Sequence, residues 1–144
     1  MKFNLKNEEH YPDPTAFFAM SNIEEMVSAY RPIVYICSPY SGDVEANVEK
    51  ARWYSRCAVL AGYIPIAPHL LFPQFMDDES YVERELGLRF AKILLRKSAE
   101  VWVCGETISS GITAEIKQAK WKNIPVRYFT DNMHEMHYEK GGRK

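Results

Sequence analysis

The sequence contains no apolar run long enough to cross a membrane. Its most apolar stretch, residues 57–72, is interrupted by Gly62, Pro65, Pro68 and His69, whereas a transmembrane helix needs about 20 apolar residues. The first nine residues include two lysines and two glutamates and contain no apolar core, so they do not resemble a secretory signal peptide. We therefore expect a cytoplasmic protein without a membrane partner.

Cysteine is scarce and neither sign of charge is in excess. The three cysteines, Cys37, Cys57 and Cys104, form neither an even set nor a Cys-x-x-Cys pair, which is typical of reduced thiols in the cytoplasm. Eighteen Lys and Arg against nineteen Asp and Glu leave a net charge of -1. Because proteins that coat phosphate backbones need a basic field, we expect no polymeric nucleic acid as a partner. A small phosphorylated ligand at one site is compatible with this charge.

Common phosphate-binding motifs are also missing. The chain contains neither the G-x-x-x-x-G-K-[ST] of a P-loop nor the G-x-G-x-x-G of dinucleotide-binding folds. His134 and His137 have a spacing found in metal sites, but no third ligand lies near them in the sequence. We therefore expect neither a cofactor nor a metal.

The 144 residues that are present are 47% hydrophobic and 26% charged, as in an ordinary globular domain. We interpret residues 1–31 as an N-terminal helical arm, with a helix that begins near Asp13-Pro14, where a capping residue precedes a proline. Residues 32–130 form the predicted domain, and residues 131–144 are predicted to be a polar C-terminal tail.

Within the predicted domain, short apolar runs alternate with helical patterns. We predict strands at residues 33–37, 63–67, 101–104 and 126–129. This alternation predicts a three-layer α/β sandwich of the Rossmann or flavodoxin type, with a four- to five-stranded, mainly parallel sheet. Ligands bind such sheets at the carboxyl ends of the strands, so candidate site residues are expected in the loops that follow them.

Three helices connect these strands. The first is predicted to begin after Asp43 and the last near Gly111. A capping box at Ser80 and Glu83 begins the middle helix, which extends to about residue 98. We expect it to turn five apolar side chains towards the core: Val82, Leu86, Phe90, Ile93 and Leu94.

Glu115 stands out in the last predicted helix. It lies in the same helical stripe as Ile112, Ile116 and Ala119, and burying a carboxylate there is costly. The helix N-terminus favours its ionised form, so Glu115 is either a carboxylate nucleophile held at the sheet edge or a partly solvated residue that stabilises the helix dipole.

Hydroxyl and small residues follow two of the predicted strands. Ser109, Ser110 and Gly111 precede the last helix and form either an anion site or a simple cap. The loop of residues 38–43 has the same character. A third loop, residues 68–79, mixes aromatic and acidic residues that either contact a ligand or close the end of the sheet. There Phe72 and Phe75 are candidates for stacking on a base, and His69, Asp77 and Asp78 for proton exchange or sugar binding.

The segment Val34-Tyr35-Ile36-Cys37-Ser38-Pro39, a proline-containing second strand and Ser109-x-Gly111-x-x-x-Glu115 together resemble the nucleoside 2-deoxyribosyltransferase superfamily. That superfamily includes the 2'-deoxynucleoside 5'-phosphate N-hydrolases and uncharacterised bacterial and phage proteins. The resemblance covers about residues 33–129. It implies that Glu115 is a nucleophile that attacks the anomeric carbon, with Tyr35 orienting its carboxylate.

The same resemblance implies a double displacement with retention, in which water or a second base accepts the sugar. It also implies a homodimer or higher homo-oligomer that completes each site with a neighbour's loop. The expected substrate contacts are Ser38, Tyr40, Ser41, Gly42, His69, Asp77, Asp78, Ser109, Ser110 and Gly111.

Two positions depart from the superfamily pattern. Lys92 stands where these enzymes usually carry the aspartate that protonates the leaving base, and Ser41 replaces the arginine of phosphate-preferring members. Either His69, Asp77 or Asp78 supplies the acid, or the protein binds nucleotides without cleaving them. We therefore predict a retaining N-glycosidase or deoxyribosyltransferase acting on a nucleoside or nucleoside 5'-monophosphate. The alternative is a non-catalytic nucleotide-binding or sensing module of the same fold.

Overall fold

Five strands form one sheet in the computed structural model, which describes residues 23–137. The strands are β1 (Ile33–Cys37), β2 (Ile64–Ile66), β3 (Glu100–Cys104), β4 (Val126–Phe129) and β5 (Glu135–Met136). Their spatial order is β2-β1-β3-β4-β5. β1 pairs in parallel with β2 and β3, β3 pairs in parallel with β4, and β5 is antiparallel to β4. The predicted fold class and the mainly parallel sheet are confirmed.

Helices cover both faces of this sheet. They are α1 (Ile23–Ser28), α2 (Val44–Leu60), α3 (Pro68–Leu71), α4 (Tyr81–Arg96) and α5 (Ser110–Trp121), with a 3₁₀ turn at Phe72–Gln74. Residues of α2 pack with one face of β1 and β3, whereas residues of α4 and α5 pack with the other. No helix in the described residues is both long and apolar enough to span a membrane.

Local sequence signals determine where the helices begin. Asp43 accepts a hydrogen bond from the Ala46 N–H at 3.2 Å, and Ser80 accepts one from the Glu83 N–H at 3.4 Å. These N-terminal caps are the ones that the sequence predicts. The predicted helix start at Asp13-Pro14 lies outside the described residues, and only residues 23–31 of the arm are described.

The prediction for the buried side of α4 was wrong. Four of the five side chains expected in the core are substantially exposed: Val82 (64%), Leu86 (44%), Phe90 (37%) and Ile93 (38%). Helix α4 has a second apolar stripe, and that stripe faces the sheet, with Leu95 buried and Ala91 and Leu94 packed beside it. Sequence periodicity cannot decide between two stripes on one helix, because both have helical spacing.

The segment after β4 also differs from the prediction. Residues 131–137 were expected to belong to a polar tail, but they include β5, which joins the sheet. The guanidinium of Arg127 donates to both carboxylate oxygens of Glu135, at 2.9 and 2.7 Å. The polar character of this segment therefore reflects a cross-strand ion pair as well as contact with solvent.

Candidate active site

A cleft with a volume of about 740 Å³ lies between α4 and α5 and reaches the carboxyl end of β1. Its walls come from the loops after β1, β2 and β3, which is where a parallel sheet of this type places its ligands. Eleven of the twelve predicted site residues line the cleft: Tyr35, Ser38, Tyr40, Ser41, His69, Asp77, Asp78, Ser109, Ser110, Gly111 and Glu115.

Glu115 lies in this cleft against two side chains from β1. The Tyr35 hydroxyl donates a hydrogen bond to Oε2 of Glu115, and the Cys37 thiol is near enough to the same carboxylate to favour its charged form. Tyr35 and Cys37 are two residues apart on a strand, so their side chains point to the same face of the sheet. The fold thus brings a carboxylate from α5 against two donors that lie about 80 positions earlier in the chain.

Burial sets the electrostatics of this group. Burial raises the pKa of Glu115 to about 7, although the hydrogen bonds from Tyr35 and Cys37 act in the opposite direction. Burial, followed by the nearby Glu115 charge, also raises the pKa of the Tyr35 hydroxyl and the Cys37 thiol well above their usual ranges. Both groups therefore keep their protons and act as donors, while Glu115 exchanges its proton near neutral pH.

The start of α5 forms the hydroxyl-rich end of the cleft. Ser109 is the N-cap, since its Oγ accepts a hydrogen bond from the Ile112 N–H at 3.3 Å. Ser110 and Gly111 are exposed and line the cleft. A Cβ built on Gly111 would meet only the Ser109 Oγ, at 3.8 Å, so the space beside this glycine is open to the cleft.

A side chain of α2 holds the loop that follows β1 by hydrogen bonds. The side-chain amide of Asn47 donates to the carbonyls of Tyr40 and Ser41, at 3.1 and 3.0 Å. Ser38, the first residue of this loop, is almost fully buried. Gly42 does not line the cleft, and its positive φ of 95° shows that it serves the turn into α2.

The segment after β2, expected as an open loop, is folded into α3 and the 3₁₀ turn. The His69 ring stacks on Tyr40, with 4.9 Å between ring centroids and 21° between ring planes. Burial lowers the pKa of His69, against the opposing effect of Asp78, which favours a neutral imidazole. Phe72 lines the cleft, whereas Phe75 is exposed and lies outside it.

Helix α4 supplies the opposite wall. Lys92, the residue at the expected acid position, lines the cleft, as do Arg84 and Arg89. Within residues 23–137, no group of three His, Cys, Asp or Glu side chains is arranged to hold a metal ion.

Sequence reasoning missed several residues in and around the cleft, among them Cys37 and Gln118. Cys37 was interpreted only as a reduced thiol, although its position two residues after Tyr35 places it on the same face of the strand. Gln118 lines the cleft from α5, and its side-chain Nε2 is buried without a hydrogen-bond partner in the described part of the chain. Its spacing of three residues from Glu115 was the available signal, because such residues are neighbours on a helix.

Comparison with known proteins places the chain in a family. A family model described as a domain of unknown function (DUF7768) matches residues 32–129. The chain belongs to this family. A search of curated proteins found no significant match.

Among solved structures, the chain is similar to a 2-deoxyribosyltransferase from the psychrotolerant bacterium Bacillus psychrosaccharolyticus. The TM-score is 0.60 at 12% sequence identity, and the similarity covers 73% of this chain and 77% of the other. At this identity the DUF7768 domain shares a fold with that enzyme. The expected resemblance is thus confirmed at the level of the fold.

Proposed function

We propose that this protein is a retaining N-glycosidase or deoxyribosyltransferase acting on a nucleoside or a nucleoside 5'-monophosphate, with Glu115 as the nucleophile. The observation that carries the proposal is the partly buried Glu115 carboxylate in the cleft, which accepts a hydrogen bond from Tyr35. A carboxylate that is desolvated, oriented and close to ionisation at neutral pH is suited to nucleophilic catalysis. The fold shared with a 2-deoxyribosyltransferase supports the same class of chemistry.

In the proposed first step, a Glu115 oxygen attacks the anomeric carbon of the sugar. The bond from that carbon to the base nitrogen breaks, its electron pair stays on the base, and the base takes up a proton. The product is a glycosyl ester of Glu115. In the second step, water or a second base attacks the same carbon and loses a proton. The ester bond then breaks and restores the carboxylate, with retention overall.

Tyr35 acts as the positioning residue in this scheme. By donating to Oε2 it fixes the orientation of the carboxylate, and it favours the ionised form that attacks. Because burial keeps the Tyr35 hydroxyl protonated, it donates this hydrogen bond throughout the neutral pH range.

The proton for the leaving base has to come from another wall of the cleft. His69, Asp77 and Asp78 all line it and are the candidate acids. The hydroxyls and small residues of the loops after β1 and β3 would contact the sugar and any 5'-phosphate.

A binding module is the second candidate function. The observation that favours it is Lys92, because an ammonium rather than a carboxyl group lines the cleft at the position expected for the acid. Such a protein would hold a nucleotide without breaking its glycosidic bond.

Base release measured by chromatography distinguishes these two functions. Wild type, Glu115→Gln and Lys117→Gln would each be incubated with a panel of nucleosides, deoxynucleosides and their 5'-monophosphates. Lys117 is the matched control, since it is an exposed residue of the same helix outside the cleft. We expect release by wild type and by Lys117→Gln, and none by Glu115→Gln. Thermal stabilisation of wild type by a nucleotide, without any base release, would contradict the enzyme and support the binding module.

We also propose that the chain works as a homodimer or higher homo-oligomer. The support is the outer stripe of α4, which leaves Val82, Leu86, Phe90 and Ile93 exposed to solvent. Neighbouring apolar side chains of this kind are typical of a protein–protein contact surface.

A further inference from the structure

Helix α1 presents apolar side chains that the described residues leave uncovered. Ile23 and Val27 lie on one face of the helix and are 59% and 77% exposed, and Tyr30 follows two residues after its end. None of the six residues of α1 is buried. Isolated helices shorter than about 12 residues are marginal in water, so α1 needs a surface to pack on that residues 23–137 of its own chain do not provide.

The outer stripe of α4 is a second exposed apolar surface. Its members Val82, Leu86 and Ile93 are exposed and are separated by four and seven residues. In α1 the interval from Ile23 to Val27 is also four residues. Intervals of this kind place apolar side chains on one face, as at the seam between two packed helices. Each helix therefore has a face suited to packing on another helix.

The charges favour pairing of these two surfaces with each other. Helix α1 carries Glu24 and Glu25 and no cation. Beside the outer stripe of α4, Arg89 and Arg96 outnumber Glu85. Within residues 23–137, none of the ion pairs involves Glu24 or either of these two arginines. An acidic helix on a basic surface brings opposite charges together, whereas either surface on a second copy of itself brings like charges together.

The α1 of a chain does not cover the α4 of the same chain. Both surfaces are exposed in the same structure. The guanidinium of Arg31 donates to the Val59 carbonyl in the last turn of α2, at 3.1 Å, so the residues that follow α1 are tied to α2. Because α2 and α4 pack on opposite faces of the sheet, an α1 that covers the outer stripe of α4 has to come from another chain.

We propose that α1 of one chain packs on the outer stripe of α4 in a second copy, and that the second copy makes the same contact in return. Such a reciprocal contact closes a two-fold dimer by exchange of the arms. The inference rests on the oligomer put forward under the proposed function, but not on its glycosyl chemistry. Since the inner side of α4 lines the cleft, the arm of each chain supports a wall of its partner's candidate active site.

Two variants of α1 that gain the same charge test the contact. Val27→Glu places a carboxylate on the apolar face, whereas the control Ser28→Glu places it one residue further, about 100° around the helix. Sedimentation velocity is expected to show a dimer or larger species for wild type and Ser28→Glu. For Val27→Glu we expect a dissociation constant at least about tenfold higher. Thermal melting of each variant shows whether it folds.

Cross-linking identifies which two helices meet. Val27→Cys chains and Leu86→Cys chains, carrying tags of different length, would be co-expressed and oxidised mildly, and the disulfide-linked products separated by mass. We expect the mixed product to predominate over the two products that join like chains. Wild type gives the background from the three native cysteines.

Three results would overturn the inference, and they separate its failure from that of the wider proposals. A monomeric wild type would refute both the arm exchange and the proposed oligomer. If wild type is an oligomer that Val27→Glu leaves intact, the arm exchange fails and the α4 interface stands. If the mixed product does not exceed the like-chain products, the arm exchange fails in the same way. None of these results affects the base-release test of the enzymatic function.

Discussion

Glu115 lies where burial and hydrogen bonding act on one carboxyl group in opposite directions. Burial disfavours its charge, whereas Tyr35 and Cys37 favour it, and the resulting pKa is about 7. This arrangement should affect both the pH dependence of base release and the free energy of unfolding. Both effects can be measured.

The first consequence concerns the pH dependence of base release. Because attack requires the ionised carboxylate, kcat/KM should rise with pH through about 7. Tyr35→Phe removes a hydrogen bond to the charged form, so we expect the rising limb to move to higher pH, by about one unit, and the rate at pH 6.5 to fall. The measurement is a pH–rate profile from about pH 5 to 9.

Tyr63→Phe is the control for that profile. Tyr63 belongs to a hydrogen-bond network with Glu100 and Arg127 on the other face of the sheet. Loss of its hydroxyl should therefore leave the rising limb of the pH–rate profile unchanged. Superimposable profiles for wild type and Tyr35→Phe would refute the positioning role of Tyr35.

The second consequence concerns stability. The pKa of Glu115 is about 7 in the folded protein against an ordinary value of 4.5, so between these values the unfolded chain binds fewer protons than the native state. The free energy of unfolding should therefore decrease as pH rises from about 4.5 to 7 and level off above that. The difference between the two pKa values corresponds to about 3 kcal/mol.

Glu115→Gln should remove this pH dependence, since the amide does not ionise and still accepts a hydrogen bond from Tyr35. Urea unfolding is expected to show similar stability for wild type and variant at pH 4.5, and a variant more stable by up to about 3 kcal/mol at pH 8. An unchanged difference between the two proteins at both pH values would contradict the burial of a titrating Glu115.

At the scale of elements, the first turn of α5 contains a residue, Gly111, that lowers helix stability but leaves room for a ligand beside the backbone. Gly111 is the second residue of α5, and alanine is the better helix former, by up to about 1 kcal/mol in a helix interior. Its φ is not in the left-handed region, and an added Cβ would make only an ordinary contact at 3.8 Å. Nothing in the described residues therefore requires glycine here, whereas a ligand approaching the backbone would.

Gly111→Ala should accordingly separate folding from binding. We expect its melting temperature to equal or exceed that of wild type, because helix propensity improves. We also expect kcat/KM to fall at least about tenfold, because the new methyl group enters the cleft. Lys117→Ala, on the exposed side of the same helix, should leave kcat/KM unchanged. A fully active Gly111→Ala would show that no ligand contacts this turn.

At the scale of the whole molecule, the outer stripe of α4 presents apolar side chains to solvent next to the wall of the cleft. Val82 and Leu86 are the clearest members, at 64% and 44% exposure. Since both are largely exposed already, glutamate at these positions is compatible with the fold. An interface on this stripe would also hold α4 against the site.

The double variant Val82→Glu/Leu86→Glu should therefore dissociate the oligomer without unfolding the chain. Sedimentation velocity is expected to show wild type as a dimer or larger species and the variant as a monomer. Trp121→Ser is the control, because Trp121 is also highly exposed, at 73%, but lies on α5. A wild-type monomer, or a variant that keeps the wild-type assembly, would contradict the proposed interface.

Patterns within short segments were sufficient to predict most of the architecture. β1 was predicted with its observed bounds, because a run of β-branched and aromatic residues favours a buried strand. Asp43 and Ser80 were predicted as caps because short polar side chains accept from a backbone N–H three residues ahead, and both do so. Ser109, which the sequence left as a cap or part of an anion site, accepts such a bond as well. These interactions are local, so the sequence by itself determined the α/β class. It also determined the strand ends, which the candidate site residues follow.

Contacts between distant segments decided the rest. The sequence placed Glu115 in an apolar stripe, but only packing of α5 on β1 brings it against Tyr35 and Cys37. The same holds for the buried amide of Gln118 and for β5, which is too short to show a pattern and is held by Arg127. Which stripe of α4 faces the sheet also depends on its neighbours. Periodicity shows only which residues share a face of one helix or strand. Side-chain burial, pKa values and strand pairing depend on contacts with the other elements.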